Sequence, residues 1–217
     1  MKTDKQLKLD VEQELEWDPA VNAAGIGVEV HDRVVTLAGH LASYAEKISA
    51  EKAAQRVEGV KAVVVELDVR VPHGDTRTDE EIASSVRSVL LWTVAVPESA
   101  LKVRVEKGVV TLSGEVEWGY QSSAAEDAVF RLRGVIAVIN NISVHTRVVP
   151  GDIAAKIEDA LKRHAEQEAK HIQVSVSDGT VTLSGKVNTF SDKAIARNAA
   201  WSAPGVRQVV ERLSVGS

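Results

Sequence analysis

Apolar residues recur along the chain in three parallel cycles. Each cycle opens with an i, i+4, i+8 set: Leu7, Val11, Leu15; Ile82, Val86, Leu90; Ile153, Ile157, Leu161. That spacing puts each set on one face of a helix. Thr3 with Gln6 and Thr78 with Glu81 have capping-box spacing, and Asp152 after Pro150-Gly151 suits a third helix start. Strict alternation follows, at Val28 and Val30, Val103 and Val105, Val174 and Val176, and predicts strands. Turn residues come next: Asp32-Arg33, Lys107-Gly108, Asp178-Gly179. A second alternation (Val35 and Leu37, Val110 and Leu112, Val181 and Leu183) completes a hairpin in each cycle. Arg33 stands where the other two turns have glycine, and costs up to about 1 kcal/mol if it adopts the same positive φ.

A helix with a small-residue stripe comes next. The stripe is Ala50, Ala53, Ala54, Val57; Ala125, Ala128, Val129, Leu132; and Ala196, Ala199, Ala200, Ala203. Small side chains let this helix lie close to a sheet. Gly59, Gly134 and Gly205 occupy helix C-cap positions. A last strand alternates Val63, Val65, Leu67, Val69; Val138, Asn140, Ile142, Val144; and Val209, Glu211, Leu213, Val215. The unit reads α-β-β-α-β, with two helices on one face of a three-stranded sheet. The helical crossover favours a parallel pair between its second and third strands.

The cycles are copies. VVTLAG (34–39), VVTLSG (109–114) and TVTLSG (180–185) end on the anchors Gly39, Gly114 and Gly185, which are 75 and 71 residues apart. Each anchor is followed 20 residues later by Gly-Val, without an insertion in any copy. The repeats therefore run over residues 1–72, 76–147 and 150–217, joined by short linkers that contain Pro and Gly. In each copy the two recurring glycines have structural work.

These motifs resemble the BON domain, the module of OsmY-type osmotic-shock proteins. The resemblance rests on the valine hairpin, V-T-L-x-G, the alanine-spaced helix and the G-V before a valine-rich strand. It covers nearly the whole chain and implies an α+β fold of three tandem α-β-β-α-β units, each with a mixed sheet. It also implies a bacterial stress protein without common catalytic residues or a cofactor. Phospholipid or membrane-surface binding is associated with several members. A relative joining one BON domain to another module is linked to potassium binding.

Composition narrows the function classes. Of 217 residues, 26 are basic and 31 acidic, for a net charge of −5, which argues against a nucleic-acid binder working by bulk charge. With no cysteine there is no disulfide, thiolate nucleophile or cysteine-ligated zinc. No nucleophile elbow, P-loop or zincin motif occurs, so no enzyme is expected. His164 and His171 lie seven apart with no third ligand at metal spacing, so no metal site is expected. The opening MKTDKQLKLD lacks the apolar stretch of an export signal. As written the chain is expected in the cytoplasm; a trimmed mature form would be periplasmic.

Three surfaces compete for a binding role. Trp17 and Trp92 stand at equivalent positions, where copy three has Arg163; they read either as lids on a small core or as an amphipathic ring at a lipid or partner surface. Positions 5, 9 and 16 after each anchor fall within about 40° on the second helix, away from its alanines. They are Tyr44, Ile48, Gln55; Gly119, Ser123, Phe130; and Phe190, Ala194, Trp201. This stripe packs either on its own first helix or against another repeat or partner. The open sheet face (Val34, Thr36, Val64 and their equivalents) is the third. Anionic phospholipid would prefer copy three, with Lys156, Lys162, Arg163 and Lys170, since copy charges run −4, −2 and +1. The expected function is non-catalytic stress-related binding to phospholipid or membrane-associated surfaces. The alternatives are a chaperone-like protein-interaction module and a small-ligand or potassium sensor.

Overall fold

A computed structural model describes residues 2–96, 101–145, 153–164, 172–203 and 205–215, with side chains in 161–164 left aside. Each repeat folds as its apolar pattern predicts. In the first, α1 (Asp4–Trp17) leads through a short 3₁₀ turn into β1 (Ile26–His31) and β2 (Val34–Leu41), then α2 (Tyr44–Arg56) and β3 (Ala62–Val69). The second comprises α3 (Asp79–Trp92), β4 (Leu101–Glu106), β5 (Val109–Val116), α4 (Gly119–Val129) and β6 (Ala137–Val144). The third comprises α5 (Ile153–His164), β7 (Ile172–Ser177), β8 (Thr180–Val187), α6 (Phe190–Trp201) and β9 (Gln208–Val215).

Three separate sheets result, ordered β1-β2-β3, β4-β5-β6 and β7-β8-β9. The hairpin strands pair antiparallel, with Val30 opposite Val35. The helical crossover makes the second pair parallel, with Val35 opposite Val63. The strand carrying the anchor glycine is therefore central in each sheet.

One core per repeat lies between the helices and the sheet. In the first, Leu7, Val11 and Leu15 of α1 meet Ala50, Ala53 and Ala54 of α2 over Val35, Leu37 and Leu67. The capping boxes at Thr3 and Thr78 are formed; Asp152 lies outside the described residues. Where the last strand places a polar residue toward the helices, the helix above answers it. Asn140 donates to Ser122 Oγ at 3.0 Å and to Glu126 Oε2 at 2.9 Å. Glu211 accepts Lys193 at 3.3 Å and Arg197 at 3.5 Å.

The hairpin turns all take two consecutive positive φ values: 49° and 66° at Asp32 and Arg33, 50° and 77° at Lys107 and Gly108, 48° and 76° at Asp178 and Gly179. In two repeats the first helix holds the turn. Asp4 accepts the Asp32 and Arg33 amides at 2.9 and 3.1 Å. Asp79 accepts the Lys107 and Gly108 amides at 2.7 and 2.8 Å. Arg33→Gly keeps its amide bond to Asp4 and removes the left-handed strain that a Cβ creates. It is expected to raise stability by up to about 1 kcal/mol. Thermal denaturation checks this, and a fall in melting temperature would contradict it.

Candidate functional site

The second helices, α2, α4 and α6, bring the repeats together. Tyr44, the first residue of α2, packs against the core of the second repeat. Phe190, the first residue of α6, packs against the core of the first. The equivalent residue of α4 is Gly119, which is buried under the indole of Trp201 from the third repeat. One helix position thus joins repeat one to two, two to three and three to one, and the contacts close in a ring. The stripe at positions 5, 9 and 16 contributes to this junction and lines its cleft, while Trp201 also packs against the core of its own repeat.

A cleft of about 560 Å³ opens between the three helices. Its walls include Tyr44, Tyr120, Phe130 and Trp201, together with Glu51, Lys52, Glu126, Asp127 and Arg197. Phe130 is 8% exposed. The Lys52 ammonium of the neighbouring repeat lies 5.6 Å from its ring centroid and the Arg131 guanidinium 5.1 Å. Both distances suit cation–π attraction. Burial raises the Tyr44 phenol pKa above its ordinary value; the Glu126 and Glu51 charges push it the same way, against a hydrogen bond to the Val138 backbone.

Trp17 and Trp92 lie elsewhere, at the ends of α1 and α3. They are 82% and 83% exposed, which excludes the lid reading of both. Val21 packs against the first core and Val96 is buried in the second. Leu91 and Val94 are also exposed and widen the apolar tip around Trp92. Beside Trp17, Arg56 clamps the end of α1, with Nε 2.8 Å from Glu14 and Nη2 3.0 Å from Asp18. The Arg56 hydrogen bond holds the Asp18 carboxyl below its ordinary range, and the Ala20 amide adds to the effect.

The remaining candidates divide by position. Phe130, Phe190 and Trp201 are taken up by contacts at the junction. Lys156 is exposed on α5. Lys170 and His171, and the side chains of Lys162, Arg163 and His164, lie outside the described residues. On the open sheet face, Val64 and Ile139 are exposed, while Thr36 and Thr111 are half-buried.

Sequence reasoning passed over Asp4, His31 and Asp32, whose ligand atoms form the one group close enough for a metal ion among the described residues. Both Asp4 oxygens already accept turn amides, and Asp79 does the same in repeat two beside Lys107. The group therefore reads as a turn clamp. Among the described residues no helix is long and apolar enough to cross a membrane.

This unit, repeated three times, matches the BON domain at residues 3–71, 78–146 and 151–217. The chain belongs to the BON domain family. It is 36% identical over 130 residues to Osmotically-inducible protein Y of Escherichia coli (strain K12), a match covering 56% of this chain and 63% of that relative. The chain thus spans somewhat under two thirds of the relative's length. Among solved structures it is 14% identical to the C-terminal domain of CdsD, the structural protein of the Type III secretion system of Chlamydia trachomatis, with full coverage of both chains and a TM-score of 0.26. It is 12% identical to the PrgH periplasmic domain, covering 88% of this chain and 95% of that one at a TM-score of 0.22.

Proposed function

We propose that this chain is a non-catalytic binding protein of osmotic or envelope stress that docks on phospholipid surfaces through the exposed ends of α1 and α3. The relative named as osmotically inducible supports the stress setting. One observation carries the surface: Trp17 and Trp92, at equivalent positions of two repeats, both stand more than four-fifths in water. A large side chain left in water forgoes roughly 1.5–3 kcal/mol of burial. Indole recovers it where an apolar layer meets a polar one, because its ring is apolar and its N–H remains a donor. Leu91 and Val94 add apolar area at the Trp92 tip. Exposed Lys156 supplies positive charge on the third repeat.

The test is co-sedimentation with anionic and zwitterionic vesicles at low and physiological salt, with tryptophan emission read in parallel. Binding with a blue shift is expected. Trp17→Ala with Trp92→Ala should lower partitioning at least about tenfold, the equivalent of 1.4 kcal/mol, without changing the melting temperature. Equal partitioning of the double variant, or no binding to either vesicle, sinks the reading. The second outcome would favour a protein partner on the open sheet face, where Val64 and Ile139 stand exposed.

A further inference from the structure

The cleft between α2, α4 and α6 is remote in kind from the tryptophan tips: enclosed on three sides and lined by charge as well as by rings. We infer that it is a binding site for a small organic ammonium ion. Its volume, about 560 Å³, lies within the range of small-molecule sites. Tyr44, Tyr120, Phe130 and Trp201 are half of the eight aromatic residues in the chain. Aromatic faces attract cations, the more so where water is partly excluded.

The charges around the rings leave room for a cation. Among the described residues the Glu51 side chain accepts only the Gln55 amide, at 2.9 Å, and the Glu126 side chain accepts the Asn140 amide at 2.9 Å. Asp127 has no hydrogen-bond or ion-pair partner among the described residues. No lysine or arginine among those residues pairs with any of the three carboxylates. The two cations in the lining are engaged otherwise: Arg197 with Glu211, and Lys52 over Phe130. The cleft therefore carries carboxylate charge that its own cations do not neutralise, and its aromatic wall already receives one ammonium from the chain.

The same geometry selects the kind of cation. Glu51 comes from α2, and Glu126 and Asp127 from α4; they do not form a group of ligand atoms close enough to hold a metal ion. A compact divalent ion needs such convergence. A methylated or alkyl ammonium spreads its charge over several C–H groups. It is held by ring faces and by carboxylates at a distance.

The experiment titrates the full chain with tetramethylammonium chloride at constant ionic strength, following backbone amide shifts by NMR, with sodium chloride as the reference. Saturable shifts at α2, α4 and α6, with a dissociation constant on the order of a millimolar, are expected. Asp127→Asn, which breaks no bond among the described residues, should weaken binding several-fold, and adding Glu126→Gln should weaken it further. Lys52→Met, which removes one of the two cations over Phe130, should tighten it. Trp17→Ala with Trp92→Ala should leave it unchanged, so failure of the lipid reading does not carry over to this one. Shifts that grow linearly, that sodium reproduces, or that the carboxylate variants leave intact would overturn the assignment.

Discussion

Gly39→Ala is expected to lose about 3 kcal/mol or more of folding stability. Gly39 has φ +140°, and a Cβ built there would stand 2.1 Å from the Gly25 carbonyl oxygen and 3.2 Å from its carbon. Both contacts are backbone, so no rotamer change relieves them. Ile26 and Gly39 face each other across β1 and β2, and opening the gap would part the hairpin at the edge of the core. Gly114 and Gly185 hold φ values of 132° and 128°, so V-T-L-x-G ends in one backbone conformation in all three repeats. Gly27→Ala is the control, since its Cβ would meet the Ala38 oxygen at an ordinary 3.6 Å. Urea denaturation of the two variants decides it. A midpoint for Gly39→Ala close to that of Gly27→Ala would mean that the anchor glycines recur for another reason.

The elements of each repeat were legible because they follow local periods. Val28 and Val30 alternate, Leu7, Val11 and Leu15 recur at helical spacing, and both patterns become buried faces. The left-handed Arg33 was legible from Asp32-Arg33 standing in register with Lys107-Gly108. Strand order was not, because alternation says which face is buried and nothing about which strand is central. The clamp of Asp4 on the turn joins residues 28 and 29 positions apart, and an aspartate in a first helical turn has commoner readings. The tryptophan tips were half legible. Equivalence of Trp17 and Trp92 was plain in the repeat register, but exposure depends on the path of the following loop. The junction was the hardest part. Its apolar stripe could be marked on the helix, yet its partner lies in another repeat, and the position that completes the ring is a glycine. The cleft depends on the junction and was hidden with it.

That glycine supplies the second large effect. Tyr44 and Phe190 each insert an aromatic ring into a neighbouring repeat, whereas at Gly119 the ring comes from the neighbour, as Trp201. A Cβ on Gly119 would lie 2.1 Å from Trp201 Cε3, 2.8 Å from Cδ2 and 3.0 Å from Cζ3. Gly119→Ala is therefore expected to cost about 1–3 kcal/mol, the usual range for overpacking. Gly119→Phe should cost at least as much. Trp201→Ala should cost about 2 kcal/mol, below the range for a fully buried aromatic, because Trp201 is only half-buried. Combining Gly119→Phe with Trp201→Ala moves the ring to the other side of the same contact and restores the arrangement of Tyr44 and Phe190. The double variant should be more stable than the sum of the single losses by at least about 1 kcal/mol, the coupling expected of residues in contact. Chemical denaturation of the four proteins in the cycle measures that energy directly. Additive losses would mean that the indole and the glycine do not share one space, and the closed ring of repeats would then lose the contact that joins its second member to its third.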